Sequence, residues 1–187
     1  MRVDTRSGPV SAHDAAREVA ARLPRLGEVK LHKLLYYCQG WHLAWMGSPL
    51  FHEEIEAWAN GPVVADLWRA RKHGGEVPAA QDLDAAMLGT VGYVVSRYGA
   101  FSGSDLIRLT HTEDPWRDAT ELSGPDERCD EPIEQKALQS FFEKQAASSS
   151  ELSPGALRRP RGVREAHTSA PRANVDDLDS LRALISA

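Results

Sequence analysis

The sequence predicts a mainly α-helical protein. It is expected to be a compact bundle of about six helices with a short extended element after the second. A flexible C-terminal tail, ending in a short amphipathic helix, follows. Three observations carry this. Apolar residues recur at helical spacing in several segments that start at capping residues and stop at Gly or Pro. Residues 50–58 alternate apolar and polar side chains instead. After Ala147 the chain turns to Ser, Pro, Gly and Arg, with almost no aliphatics until its last dozen residues.

The first helix is read over residues 11–23. Ser11 with Asp14 resembles a capping box, Asp standing in for Glu, and Ala12, Ala15, Ala16, Val19 and Leu23 form a small-residue stripe. Pro24 and Gly27 break it. The second helix, residues 28–46, stops at Gly47 and Pro49. At 100° per residue Leu31, Leu34, Leu35, Cys38, Trp41 and Trp45 share one broad face, with His42 on its edge. Tyr36 and Leu43 lie nearly opposite, so this helix is covered on two sides and central.

In residues 50–58, Phe51, Glu53, Ile55 and Ala57 point one way; His52, Glu54, Glu56 and Trp58 point the other. Asn60-Gly61-Pro62 turns the chain, and Pro62 is placed at the first position of a third helix packed through Val63, Val64, Leu67 and Trp68. Asp82 is read as opening the fourth, whose stripe runs from Leu83 to Tyr98. Ser102 and Asp105 cap a fifth over residues 103–110, and Asp114-Pro115-Trp116 opens a further turn. The last helix of the domain is read from Pro132 to residue 144, carried by Ile133, Ala137, Leu138, Phe141 and Phe142. Leu31, Leu34, Leu35, Cys38, Trp41, Trp45, Val64, Trp68 and Phe141 are the candidate core.

These elements divide the chain into a flexible N-terminus (1–10), a domain (11–146), a disordered linker (147–173) and a terminal helix (174–187). Asn174 caps that helix; Val175, Leu178, Leu181, Leu184 and Ile185 lie along one face. So short a helix is marginal alone and needs something to dock on.

Chemistry is sparse. His52-Glu53-Glu54-Ile55-Glu56 lacks the second His of a zinc-protease helix and alternates like a strand. His32, His42 and His52 are ten residues apart, a rotation of roughly 280° on a helix, so they do not converge. One is read as a partly buried, satisfied histidine and the others as surface. Glu53, Glu54 and Glu56 read as a solvated strand face, and no Gly-rich phosphate loop or nucleophile elbow occurs. Lys30, Lys33, Arg69, Arg71 and Lys72 also read as a solvated face. With a net charge of −5, nucleic acid is not an expected partner. Cys38 and Cys129 form no ligand or redox motif, and Cys38 reads as a buried structural thiol. The absence of a transmembrane-length run and of an apolar signal centre predicts a cytoplasmic protein with no membrane partner.

The spacing of rarer residues adds a resemblance. Residues 30–37 with Gly40, Trp41 and His42, then Pro49-Leu50-Phe51, residues 54–58 and Gly61-Pro62-Val63-Val64 form one block. Tyr98-Gly99, Ser102, Leu106 and Leu109-Thr110-His111 through Glu113 to Pro115-Trp116 form another, and residues 133–142 close the pattern. Together they resemble the Panacea domain of the SocA-like antitoxins, a family with a phage-associated GepA-like member, over about residues 10–145. Cys38 stands where Ala is usual, His32 where Gln is usual, and Ala59-Asn60 replaces the common pair before Gly-Pro.

The resemblance implies a non-enzymatic antitoxin with no cofactor, metal or catalytic residue. It would neutralise a co-encoded protein toxin by direct contact. In the SocA branch such a domain also acts as an adaptor to a Clp-type unfoldase and protease, the alternative reading here. The contact is expected at aromatics not used by the core: Trp58 with His52 and the Asn60-Gly61-Pro62 corner, and Trp116. A second contact is expected from Leu178, Leu181 and Ile185 of the tail.

Overall fold

The computed structural model describes residues 8–122 and 130–148. The expectations for residues 1–7, for Cys129 and for the tail from residue 149 lie outside them. Among the described residues there are seven helices and one two-stranded antiparallel sheet. The helices are α1 (Ala12–Arg22), α2 (Glu28–Met46), α3 (Ala65–His73), α4 (Ala85–Tyr98), α5 (Gly103–His111), α6 (Asp114–Leu122) and α7 (Gln135–Ser148). The strands β1 (Ile55–Trp58) and β2 (Gly61–Val64) lie between α2 and α3.

α2 is the axis of the molecule. It packs against α1, α4, α5, α7 and β2, and its residues from Leu31 to Leu43 are all buried. Its apolar residues surround it because its neighbours do. Gly40 lets α7 come close: a Cβ there would press into the Phe142 ring. Tyr36, Tyr37 and Trp41 meet that ring edge-on, with centroids 5.2–6.0 Å away. Tyr37 stacks on Tyr98 of α4 at 4.0 Å, and Trp41 Nε1 donates to the Tyr98 hydroxyl at 3.1 Å.

Gln39 explains why residues 50 and 51 can run extended inside the protein. Its Oε1 accepts from the Leu50 and Phe51 amides at 2.9 and 3.1 Å, and its Nε2 donates to the Phe51 carbonyl at 2.9 Å. One buried amide thus replaces a strand partner. β1 pairs with β2 in the register Ile55↔Val64 to Trp58↔Gly61. Its other edge takes Ile133 N on Ile55 O (2.7 Å) and gives Ala57 N to Glu131 O (2.8 Å).

Several boundaries differ from the sequence reading. Pro62 does not start α3; it lies within β2, an edge strand that tolerates proline, and Val64 is the N-cap. Asp84 rather than Asp82 caps α4, accepting from the Ala86 and Met87 amides at 2.9 Å. Pro132 bridges to Glu56 beside the sheet, so α7 begins three residues later. The turn at Asp114 is a full helix, α6, which makes the count seven rather than six. At α1 the Ser11 cap forms, but Asp14 is turned to Gln81 and Arg17; Glu53 takes the Ala12 amide and the Ser11 hydroxyl instead.

At α5 the reciprocal capping box is complete between Ser102 and Asp105, and those bonds to Ser102 hold the Asp105 carboxyl below its usual range. Ser102→Ala is expected to cost about 1 kcal/mol, read as a shift of the urea midpoint at unchanged slope.

Candidate partner-binding site

The hairpin between β1 and β2 turns at Ala59 and Asn60, both exposed, and closes on Gly61. Gly61 adopts φ 84°, and a Cβ there would stand 2.7 Å from both Lys33 Cε and Thr110 Oγ1. Only glycine fits, on both counts. Beneath it lies Lys33, 1% exposed, whose Nζ donates to the Pro62 carbonyl at 2.9 Å. Lys33 is therefore not on a solvated face: burial pushes its ammonium down to about 7.

The second block of the resemblance folds onto this turn. Trp116 Nε1 donates to the Trp58 carbonyl at 3.0 Å. His111 stacks on the Trp116 ring at 3.9 Å and 15°. Burial, then the Lys33 charge, lowers its pKa; a hydrogen bond with the Ala59 backbone opposes them. His111 and Trp116 thus clamp the hairpin from outside while Lys33 holds it from inside.

Trp58 lies half-buried on the outer side of β1. Its Nε1 donates to Glu56 Oε2 at 2.7 Å and its ring meets Trp68 edge-on at 5.0 Å. Trp68 is only partly covered, outside the core the sequence suggested for it, and Lys72 Nζ stands 4.3 Å above its ring. Arg69 pairs with Glu56 and Asp66, Arg71 with Glu28, all near the surface. A cleft of about 290 Å³ opens between Glu28, Trp68, Arg71 and Lys72. The result is a ridge of three partly exposed tryptophans, Trp116, Trp58 and Trp68, edged by cations. Rigid amphipathic rings in such a setting suit protein contact.

The other candidate residues fall elsewhere. Asn60 stands at the tip of the ridge, but Gly61 and Pro62 are buried under it. His52 is exposed at the far end of its segment, with Nδ1 2.9 Å from the Val10 carbonyl and Nε2 3.7 Å from Glu53. Leu178, Leu181 and Ile185 lie outside the described residues. Of the candidate core, Leu31, Leu34, Leu35, Cys38, Trp41 and Val64 are buried; Trp45 and Phe141 pack against the core from its edge.

Two histidines, not one, are buried. His42 Nδ1 lies 2.9 Å from Thr90 Oγ1, and His32 Nδ1 accepts from the Val64 amide at 3.3 Å. Burial first of all pushes both down to about 4, so both are neutral at pH 7. Because His32 Nδ1 accepts, its proton is on Nε2, 3.6 Å from Glu28.

The sequence reading gave no role to Glu113. It is buried, its Oε1 accepts from the Tyr37 hydroxyl at 3.0 Å, and burial raises it to about 7 against the lowering effect of Tyr36 and Tyr37. Neither its place in the second block of the resemblance nor its position before Asp-Pro separates a buried acid from a solvated one.

Among the described residues no three His, Cys, Asp or Glu side chains gather as metal ligands, and no helix is long and apolar enough to cross a membrane. No curated protein and no solved structure matches the chain. A family model does: the one described as Antitoxin SocA-like, Panacea domain, matches residues 31–117. That span holds α2 from Leu31 onward, the hairpin and the His111–Trp116 clamp, so the two sequence blocks behind the resemblance are one contiguous structure. Over residues 31–117 the chain is thus similar to the Panacea domain of the SocA-like antitoxins.

Proposed function

We propose that this chain is an antitoxin that neutralises a co-encoded protein toxin by binding it directly, without catalysis, in the cytoplasm. The carrying observation is the match of residues 31–117 to a family of antitoxins. The contact face we assign is the ridge of Trp116, Trp58 and Trp68 with Asn60 at its tip. Two features support that choice. The ridge offers two large rings outside the core, Trp58 and Trp68, beside Trp116, which packs against it, and the hairpin backbone is held by Lys33 and Trp116, so little order is lost on binding. Lys33, His32 and His42, whose acidity burial displaces, are each enclosed separately rather than gathered around one cleft, which favours a binder over an enzyme.

Co-expression with the protein encoded beside it tests the reading. Growth arrested by that protein should resume when this chain is present, and the two should co-purify. A neighbour that is harmless alone, or one whose toxicity persists at equal expression, contradicts it.

A further inference from the structure

We infer that a groove between α4 and α7, on a wall of the domain formed by other residues than the tryptophan ridge, is the docking site of the chain's own C-terminal segment, residues 174–187. The groove encloses about 280 Å³: Trp41, Tyr98, Leu109 and Phe142 form its buried floor and Phe141 a partly covered wall, with Arg97 and Glu113 in its polar lining. The aromatic surface continues past it. Trp45 stacks on Trp41 at 5.0 Å and Tyr93 meets both rings edge-on, yet Trp45, Tyr93 and Phe141 are only partly covered by the described residues. An apolar face of this kind fits an amphipathic helix entering by its aliphatic edge.

Two features select the occupant. The first is where the chain goes. Gln145 of α7 lines the groove and α7 ends at Ser148, so the chain leaves at the groove's own rim. The 25 residues 149–173 then precede the segment, and a chain of that length spans roughly 25–30 Å. Tethering on that scale gives a local concentration in the millimolar range, enough for a weak contact to form.

The second is pattern. Residues 174–187 carry Val175, Leu178, Leu181, Leu184 and Ile185 at helical spacing, the aliphatic edge the groove requires.

Hydrogen exchange on the full-length chain, with and without Leu181→Asp and Ile185→Asp together, tests this. Both substitutions lie outside the domain and leave its core intact. In the substituted chain, amides near the exposed side of α4 (residues 93–98) and of α7 (residues 138–146) are expected to exchange at least tenfold faster. Amides of α1 should be unchanged. Equal exchange in the two chains overturns the inference. So does protection that appears only as protein concentration rises, which would seat the segment on a second copy, or only once the toxin is added. Toxin rescue is not part of this readout, so the inference fails or holds independently of the antitoxin reading.

Discussion

Gly40→Ala destabilises the protein by about 2–3 kcal/mol, although the same change at an exposed helix position would stabilise it by about 1 kcal/mol. The added methyl presses into the Phe142 ring, meeting Cζ at 2.9 Å and the nearer ring carbons closer still. That ring cannot swing aside: Phe142 is buried, and Tyr36, Tyr37 and Trp41 stand around it. α7 must therefore shift off α2. Urea unfolding measures the loss, and a double-mutant cycle assigns it. Phe142→Leu makes room for the methyl, so the doubly substituted chain should be more stable than the sum of the single effects by at least 1 kcal/mol. Additivity would place the strain elsewhere.

Lys33→Met is expected to stabilise the fold near neutral pH, and the sign follows from its acidity. The folded pKa is about 7 and the ordinary value 10.5. Between those two values the unfolded chain holds a proton that the folded chain does not, so the lysine's penalty shrinks as pH rises through that window. At and below pH 7 the penalty is on the order of 4–5 kcal/mol, at about 1.4 kcal/mol per unit. Methionine keeps the apolar stem and removes the ammonium. It also removes the bond to the Pro62 carbonyl, which returns about 1–3 kcal/mol of cost.

A net gain of about 2 kcal/mol at pH 7 is the expected result, shrinking toward zero or below by pH 10. The difference between the two chains must be read, not either curve alone. Tyr36, Tyr37, Tyr98 and Cys38 all have burial-raised values and weaken both chains alike in alkali. A variant less stable than wild type at pH 7 and parallel to it up to pH 10 would contradict the account.

Much of the fold is legible because α2 writes its surroundings into its own sequence. Apolar side chains on nearly every side can only mean neighbours on nearly every side, and Glu28–Met46 is bounded by a Gly at each flank. What escaped depends on contacts distant in sequence. Pro62 looks like a helix start, yet β1 and Lys33 capture it as a strand residue. Glu53 looks like part of a solvated acidic run, yet it caps α1 from 41 residues away. Lys33 sits at helical spacing from Tyr36 and Tyr37, yet its charge by itself points to a solvated face; only the hairpin folding over it puts it inside.

The candidate site was legible in a similar way. Trp58, Asn60 and Trp116 do come together, because the indole of Trp116 reaches the Trp58 carbonyl. Trp68 belongs with them rather than with the core, since α3 is short and turns that face outward. His52 shares the outer side of its strand-like segment with Trp58 but stands six residues back, beside Val10 and Glu53, where α1 rather than the hairpin is its neighbour.

Binding at the proposed tryptophan ridge is read by titration calorimetry against the purified co-encoded toxin. Trp58→Ala and Trp68→Ala, each verified as folded by circular dichroism, are expected to weaken binding by about 2 kcal/mol, roughly thirtyfold. His52→Ala, at the far end of the segment, should bind within about twofold of wild type, a change under 0.5 kcal/mol. Folded tryptophan variants that bind as tightly as wild type, or a loss confined to His52→Ala, would contradict it.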